Sequence, residues 1–126
     1  MKKPYVLLVA GSRHFECYEA FHRMMGVMLA RWGTPTRIIS GGCRGVDVMA
    51  RKYAFEMKYE FQEYPAEWDR YGAAAGPIRN ETMVSLADKV LAFVDEQSKG
   101  TWDTIKKTRK FPEKELAVIK VEEIKK

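Results

Sequence analysis

Three short segments of this 126-residue chain combine glycine with hydroxyl-bearing or cationic side chains. They are Gly11-Ser12-Arg13, Ser40-Gly41-Gly42-Cys43-Arg44-Gly45-Val46-Asp47 and Ser98-Lys99-Gly100-Thr101. Each follows a short apolar run and opens into a segment with helical periodicity. Free backbone N–H groups at such a helix start favour anions, most often phosphate. Three such loops in one chain therefore predict a phosphorylated ligand.

Each of these residues also has an explanation that needs no ligand. Gly11 can simply end a strand, and Ser12 can cap a helix. The glycines of the second segment can serve a tight turn and close packing of the next helix. Asp47 lies in a first helical turn, where a carboxylate is favourable to the helix dipole. Contact between Asp47 and a ribose hydroxyl is the alternative, and the sequence leaves both open.

Residue spacing argues against several other kinds of site. The first loop lacks the Gly-x-Gly-x-x-Gly motif of dinucleotide binding, and the second lacks the lysine and hydroxyl residue of a P-loop. His14 and His22 do not have the spacing of a zinc-binding helix pair. Cys17 and Cys43 form no Cys-x-x-Cys motif. We therefore expect no metal ion and no cofactor.

Composition indicates a globular chain with a modest positive charge. Hydrophobic residues make up 46% and charged residues 31%, and the formal net charge is +5. Most of the surplus lies after Lys99, which could attract nucleic acid or could be a solvated, lysine-rich surface. No apolar run approaches the roughly 18 residues of a membrane span, and no signal-peptide pattern is present. We expect a cytoplasmic protein that does not bind membranes.

The elements that must position these loops follow from hydrophobic periodicity. Short apolar runs predict strands at Tyr5–Ala10, Ile38–Ser40, Tyr59–Tyr64, Lys89–Val94 and Ala117–Val121. Apolar residues at three- and four-residue steps predict helices at Tyr18–Trp32, Gly45–Lys58, from near Ile78 and at Thr101–Lys110, with 65–77 an irregular connection. This order predicts an α/β fold, a Rossmann-like three-layer sandwich with a mainly parallel five-stranded sheet. We expect one domain, 1–126, with its ligand beyond the carboxyl ends of the strands.

The motifs taken together resemble the SLOG superfamily, and within it the YspA-like group. Besides the three loops, the resemblance rests on two further motifs, Tyr64-Pro65-x-x-Trp68 and Gly72-x-x-Ala75-Gly76-x-x-Arg79-Asn80-x-x-Met83. The resemblance covers about residues 5 to 121 and implies a Rossmann-like fold that binds a nucleotide or nucleotide-derived ligand. It implies ligand contacts from Gly11, Ser12, Arg13, Gly41, Gly42, Arg44, Gly45, Asp47, Trp68, Arg79, Asn80, Ser98, Lys99, Gly100 and Thr101. Asp47 would reach the ribose and Trp68 would cover the base.

Similarity to the LOG phosphoribohydrolases within this superfamily implies an enzymatic version. Those enzymes cleave the N-glycosidic bond of nucleoside monophosphates, and their acidic residue falls on Thr104 here. Asp103 or Glu81 would then supply the carboxylate that such a reaction needs. Helix geometry turns Asp103 about 100° from the expected face. The resemblance thus leaves open a hydrolase and a non-catalytic sensor.

Similarity to the DprA-type DNA-processing proteins implies a different partner, single-stranded nucleic acid. Single-strand binding combines a basic groove with stacking aromatic side chains. The groove would come from Arg13, Arg44, Arg79 and Lys99, and the stacking from Trp68 and Tyr71. Trp68 could instead simply pack the irregular connection, because large aromatics usually bury area.

Self-association is a further possibility. The first predicted helix carries Met24, Met25 and Met28, more methionine than one core stripe requires. Methionine is common at adaptable contact surfaces. A homo-oligomer is therefore possible, although most of these side chains are expected to pack on the sheet.

Overall fold

The computed structural model describes residues 4–124, which form a five-stranded sheet with helices on both faces. The strands are β1 (Val6–Gly11), β2 (Arg37–Ser40), β3 (Glu60–Glu63), β4 (Lys89–Val94) and β5 (Glu115–Lys120). The helices are α1 (Tyr18–Trp32), α2 (Val46–Met57), α3 (Trp68–Tyr71), α4 (Ala75–Leu86), α5 (Lys99–Thr108) and α6 (Val121–Ile124), with a 3₁₀ turn at Gly72–Ala74. All strand pairs are parallel, which confirms the predicted Rossmann-like α/β class.

The strand order places a topological switch at β1. The order is β3-β2-β1-β4-β5, so the chain builds one half of the sheet outward from β1 and then returns to build the other half. β1 pairs with β2 on one side and with β4 on the other, with Leu8 opposite Ile39 and Val90. The carboxyl ends of β1 and β4 diverge into different connections, and the resulting crevice is where such sheets bind ligands.

The hydrophobic core has a layer on each side of the sheet. On one side α1 and α2 pack through fully buried residues such as Phe21, Met25 and Ala50. On the other side α4 packs through Met83 and Val84, and α5 packs through Ile105. This double coverage explains why the central strands are continuous apolar runs rather than alternating ones.

The methionines of α1 belong mainly to this core. Met25 and Met28 are buried. Met24 is partly buried and packs against the same cluster. The described residues therefore leave little of this methionine face for contact with a second copy.

Two sequence predictions differ from the structure. The segment 65–77, predicted to be irregular, contains α3, a 3₁₀ turn and the start of α4. Pro77 does not delay α4, because N–H groups in a first helical turn have no intrahelical acceptor to lose. β5 begins at Glu115, and Val121, predicted to end that strand, instead starts α6.

The helices are short relative to a lipid bilayer. The longest, α1, has 15 residues, whereas a span needs about 20 predominantly apolar ones. No helix among residues 4–124 is long and apolar enough to cross a membrane.

Candidate functional site

A concave pocket of about 380 Å³ opens at the carboxyl ends of the central strands. Its walls are the loops after β1, β2 and β4 and the first turns of α4 and α5. Twelve residues predicted from the sequence line it: Gly11, Ser12, Arg13, Gly41, Asp47, Trp68, Arg79, Asn80, Ser98, Lys99, Gly100 and Thr101. Six further residues line it that were not predicted as ligand contacts: Ala10, Cys43, Gly76, Pro77, Met83 and Gln97. The volume lies in the lower part of the range for small-molecule sites.

Gly45 lies outside the pocket and has a structural role. Its φ is 71°, and a Cβ there would lie 2.3 Å from the Ser12 carbonyl oxygen. The same oxygen accepts a hydrogen bond from Val46 N at 3.1 Å. Gly11 has a related role, since a Cβ there would lie 2.7 Å from Val46 Cγ2. The two glycines let the loop after β1 lie directly against the start of α2, as the explanation without a ligand expects.

The other two glycines of the second loop also accommodate close neighbours. Gly42 has a φ of 83°, and a Cβ there would lie 2.8 Å from the Glu63 side chain. Gly42 does not line the pocket, whereas Gly41 does. A Cβ on Gly41 would lie 2.6 Å from Arg79 Nη1. The absence of a side chain at Gly41 therefore allows the guanidinium of Arg79 to reach its place.

Arg79 joins α4 to the loops after β2 and β3. Its Nη1 donates hydrogen bonds to the carbonyl oxygens of Gly41 at 2.6 Å and Tyr64 at 3.2 Å. Its Nε donates to Asn80 Oδ1 at 2.9 Å. Nη2 makes no hydrogen bond to another described residue. The structure thus fixes a positive charge in the pocket wall and leaves one nitrogen available.

Asp47 is a buried carboxylate in this wall, with 7% of its surface exposed. It accepts a hydrogen bond from Cys43 N at 2.9 Å. Burial raises the pKa of the Asp47 carboxyl, while Cys43, Ser40 and the positive charge of Arg79 lower it. The nearby charge of Glu63 also raises it, and the net shift is upward. The fold thus holds a carboxylate where its negative charge is unfavourable, which is more typical of a functional site than of a stabilising contact.

Asp95, which sequence reasoning missed, connects the loops after β1 and β4. Its carboxylate accepts hydrogen bonds from Ser12 Oγ, from Ser98 Oγ at 2.8 Å and from Gln97 N at 2.9 Å. Partial burial raises the pKa of Asp95, but these hydrogen bonds outweigh burial and the net shift is downward. The available signal was its position, an acidic residue immediately after a strand whose last five residues are buried.

The first turn of α5 presents hydrogen-bond donors to the pocket. The N–H groups of a first turn have no acceptor within the helix. Thr101 is 7% exposed, lines the pocket, and its hydroxyl has no hydrogen-bond partner among the described residues. A Cβ on Gly100 would meet nothing within 4 Å, so the backbone is open to a ligand there. With the exposed lysine Lys99 beside them, these groups form a corner suited to an anion.

The two predicted catalytic carboxylates lie outside the pocket lining. Asp103 accepts a hydrogen bond from Asn80 Nδ2 at 3.0 Å and pairs with Lys107 Nζ at 2.6 Å. Partial burial raises the pKa of Asp103, but Lys107 and Asn80 outweigh burial and the net shift is downward. Glu81 is exposed on α4. Their catalytic roles stay predictions.

The basic and aromatic residues predicted to bind single-stranded nucleic acid are mostly exposed. Trp68 is 58% exposed, so it does not simply pack the connection. Its ring lies 3.5 Å from where a Cβ on Gly76 would be, at the pocket wall. Beside it, the Arg70 guanidinium lies 5.0 Å from the centre of the Tyr71 ring. Arg44 is exposed and does not line the pocket.

Comparison with known proteins gives two matches. The model of the YspA, cpYpsA-related SLOG family matches residues 5–71, which include the loops after β1 and β2 and Trp68. The "Gene 61 protein" of Mycobacterium phage D29 is 32% identical over 110 residues, covering 82% of this chain and 88% of that protein. No solved structure matches the chain significantly.

Proposed function

The chain belongs to the YspA, cpYpsA-related SLOG family, and we propose that it binds a nucleotide or nucleotide-derived ligand at the carboxyl ends of its strands. Membership of this family suggests a nucleotide-related ligand. The observation that carries the proposal is the anion corner, defined as Lys99, Gly100 and Thr101 in the first turn of α5. The Thr101 hydroxyl makes no hydrogen bond to another described residue and belongs to the pocket lining. It can therefore donate to a phosphate oxygen there.

Phosphate binding in this corner would use backbone and side chain together. Phosphate oxygens would accept from the free N–H groups of the α5 first turn and from the Thr101 hydroxyl. Lys99 and Arg13, both exposed at the pocket, would add positive charge. Charge-assisted hydrogen bonds of this kind are about twice as strong as neutral ones.

The rest of the ligand would lie between Asp47 and Trp68. The Asp47 carboxylate can accept from ribose hydroxyls, and a donor there would offset the cost of its buried charge. Trp68 leaves its ring largely exposed at the pocket wall, where a base could stack on it. Stacking on an aromatic side chain contributes about 1–3 kcal/mol per base.

A thermal-shift panel tests the proposal. The melting temperature is measured with AMP, ADP-ribose, NAD and cyclic nucleotides. A ligand at about 100 times its Kd stabilises the folded state by about 2.7 kcal/mol, which is readily detected. We expect Trp68→Ala to weaken the response and Trp102→Ala, an exposed tryptophan on the outer side of α5, to leave it unchanged. Flat responses across the panel, the same in Arg79→Ala, would overturn the proposal.

The proposal takes two forms, which differ in whether the protein chemically converts the ligand that it binds. The protein is either a sensor, which binds without reaction, or a hydrolase that releases the base by cleaving the N-glycosidic bond. In the hydrolase, Asp103 or Glu81 would move into reach of the ligand, since neither lines the pocket as described. Incubation with nucleoside monophosphates and ADP-ribose, with detection of free base, separates the two forms. Base release that Asp103→Asn and Glu81→Gln leave unchanged would rule out both residues.

Single-stranded nucleic acid is the second candidate partner. The exposed Trp68 and the Arg70–Tyr71 pair beside the pocket favour it, because stacking surfaces next to positive charge are what single-strand binding uses. The affinity for a labelled oligonucleotide would then fall steeply with salt as counterions are released. Undetectable or salt-insensitive binding at low ionic strength would remove this candidate.

A further inference from the structure

Two serines of the pocket share one carboxylate behind them. Ser12 follows β1 and Ser98 precedes α5, and both line the pocket, whereas Asp95 does not. Ser98 Oγ lies 2.8 Å from Asp95 Oδ1, and Ser12 Oγ contacts Asp95 Oδ2. We call Ser12, Asp95 and Ser98 the serine–aspartate corner. Its geometry determines what each serine can offer a ligand.

The hydroxyl protons of both serines are committed to Asp95. An ionised carboxylate only accepts hydrogen bonds, so each hydroxyl that contacts it must be the donor. Asp95 also accepts from Gln97 N at 2.9 Å, and the combined hydrogen bonds lower its pKa and favour the ionised form. Neither serine therefore has a proton to give to a ligand while this arrangement holds.

Each serine also uses one of its lone pairs. Ser12 Oγ accepts from His14 N at 3.0 Å, and Ser98 Oγ accepts from Asp95 N at 2.9 Å. A hydroxyl oxygen has two acceptor positions, so each retains one. Toward the pocket, the corner is an acceptor backed by a negative charge. A phosphate group, itself an acceptor and negatively charged, is a poor partner for it.

We propose that the serine–aspartate corner recognises a hydrogen-bond donor of the ligand, a sugar hydroxyl or an amino group, and not its phosphate. Asp95 is the positioning residue, since it holds both serines as acceptors without itself lining the pocket. This inference rests on the proposed function. It gives the ligand a direction, with phosphate at the anion corner of α5 and the donor-bearing part at Ser12. Ser12, although it lies in one of the three loops that predict a phosphorylated ligand, would thus contact the sugar or the base and not the phosphate.

Ligand analogues test this orientation. Calorimetry measures the Kd of AMP, 2′-deoxy-AMP, 3′-deoxy-AMP, IMP and adenosine for the unaltered protein and for Ser12→Ala. The deoxy analogues each remove one sugar donor, IMP lacks the exocyclic amine and adenosine lacks the phosphate. We expect one donor deletion to weaken binding about tenfold in the unaltered protein and to have no further effect in Ser12→Ala. Loss of phosphate should weaken binding by the same factor in both proteins.

A second variant keeps the test independent of Ser12→Ala. Asp95→Asn preserves the shape of the side chain but removes its charge, and its amide group can donate to one serine, which frees that serine's proton. We define the preference as the Kd of the donor-deleted analogue divided by the Kd of AMP, and we expect this ratio to fall about tenfold in Asp95→Asn. Asp88→Asn is the matched control: Asp88 Oδ2 accepts from Val6 N at 2.8 Å at the opposite end of the same strand pair. It should leave the preference unchanged.

The outcomes separate this inference from the proposed function. If no nucleotide binds the unaltered protein, both are overturned. If AMP binds but no donor deletion weakens it, or if Ser12→Ala changes the effect of removing phosphate, only the orientation is overturned. If Asp95→Asn and Asp88→Asn change the preference equally, Asp95 is not the positioning residue.

Discussion

At the residue scale, Asp47 places a negative charge where burial disfavours it. Its pKa is raised mainly by burial, despite the hydrogen bond from Cys43 and the charge of Arg79. A carboxyl whose pKa is higher in the folded than in the unfolded state makes folding less favourable once pH exceeds the unfolded value of about 3.9. The unfavourable contribution grows as pH rises to the folded-state pKa and disappears at low pH.

Asp47→Asn should therefore stabilise the free protein at neutral pH. The amide oxygen can still accept from Cys43 N, while the buried charge is gone. We expect a melting temperature about 2–4 °C higher than that of the unaltered protein at pH 8, with the difference shrinking toward pH 4. Asp69→Asn, which removes the same charge at an exposed position of α3, is the control. A stability loss at pH 8, or a difference that does not vary with pH, would contradict this account of Asp47.

At the element scale, the contact between the loop after β1 and the start of α2 depends on Gly45. Two independent constraints act there, a φ of 71° and the 2.3 Å approach of a Cβ to the Ser12 carbonyl oxygen. Gly72, before α4, has only the first constraint: its φ is 56°, and a Cβ would meet nothing within 4 Å. Comparing substitutions at Gly45 and Gly72 therefore separates the effect of backbone conformation on stability from the effect of close packing.

We expect Gly72→Ala to lower the free energy of unfolding by about 1 kcal/mol, the cost of a positive φ alone. Gly45→Ala should lower it by about 3 kcal/mol or more, since backbone must also move away from backbone. Urea unfolding measures both. Equal losses would mean that close packing of the loop against α2 contributes nothing to stability.

At the scale of the whole molecule, the central strands of the sheet could be predicted because they are covered on both faces. That environment selects continuous apolar runs such as Lys89–Val94, whose predicted bounds match β4. Because strands that alternate with helices run parallel, the loops that follow them were predicted to lie together at the carboxyl edge of the sheet. The start of α4 could not be predicted in the same way, because Ala75 and Gly76 are small and Pro77 is commonly a helix breaker. Asp95 was missed because its link to Ser12 joins two different loops, which only the pairing of β1 with β4 brings close.

The net charge of +5 is a property of the surface more than of the pocket. Lys110 is exposed and does not line the pocket. It lies beyond the far end of α5, roughly 13 Å along the helix axis from Lys99, and charges beyond about 10 Å are largely screened at about 0.1 M salt. We expect Lys110→Glu to change the Kd for AMP less than twofold, measured by calorimetry. A larger change would show that the overall field, not the pocket, governs binding.

The central claim is that the Thr101 hydroxyl donates a hydrogen bond to a phosphate oxygen of the ligand. Thr101→Val preserves shape and removes a hydroxyl that has no partner among the described residues, so the melting temperature should hold. Thr108→Val, on the same helix, removes a hydroxyl that donates to Thr104 O at 2.8 Å away from the pocket, so it should lower the melting temperature but not the affinity.

The most direct measurement is the calorimetric Kd of AMP and of adenosine for the unaltered protein, Thr101→Val and Thr108→Val. We predict that Thr101→Val weakens the binding of AMP about tenfold or more and leaves the Kd of adenosine unchanged. Thr108→Val should bind both ligands with the Kd values of the unaltered protein. Equal affinity of Thr101→Val and the unaltered protein for AMP would contradict the account, as would a failure of the unaltered protein to bind AMP more tightly than adenosine.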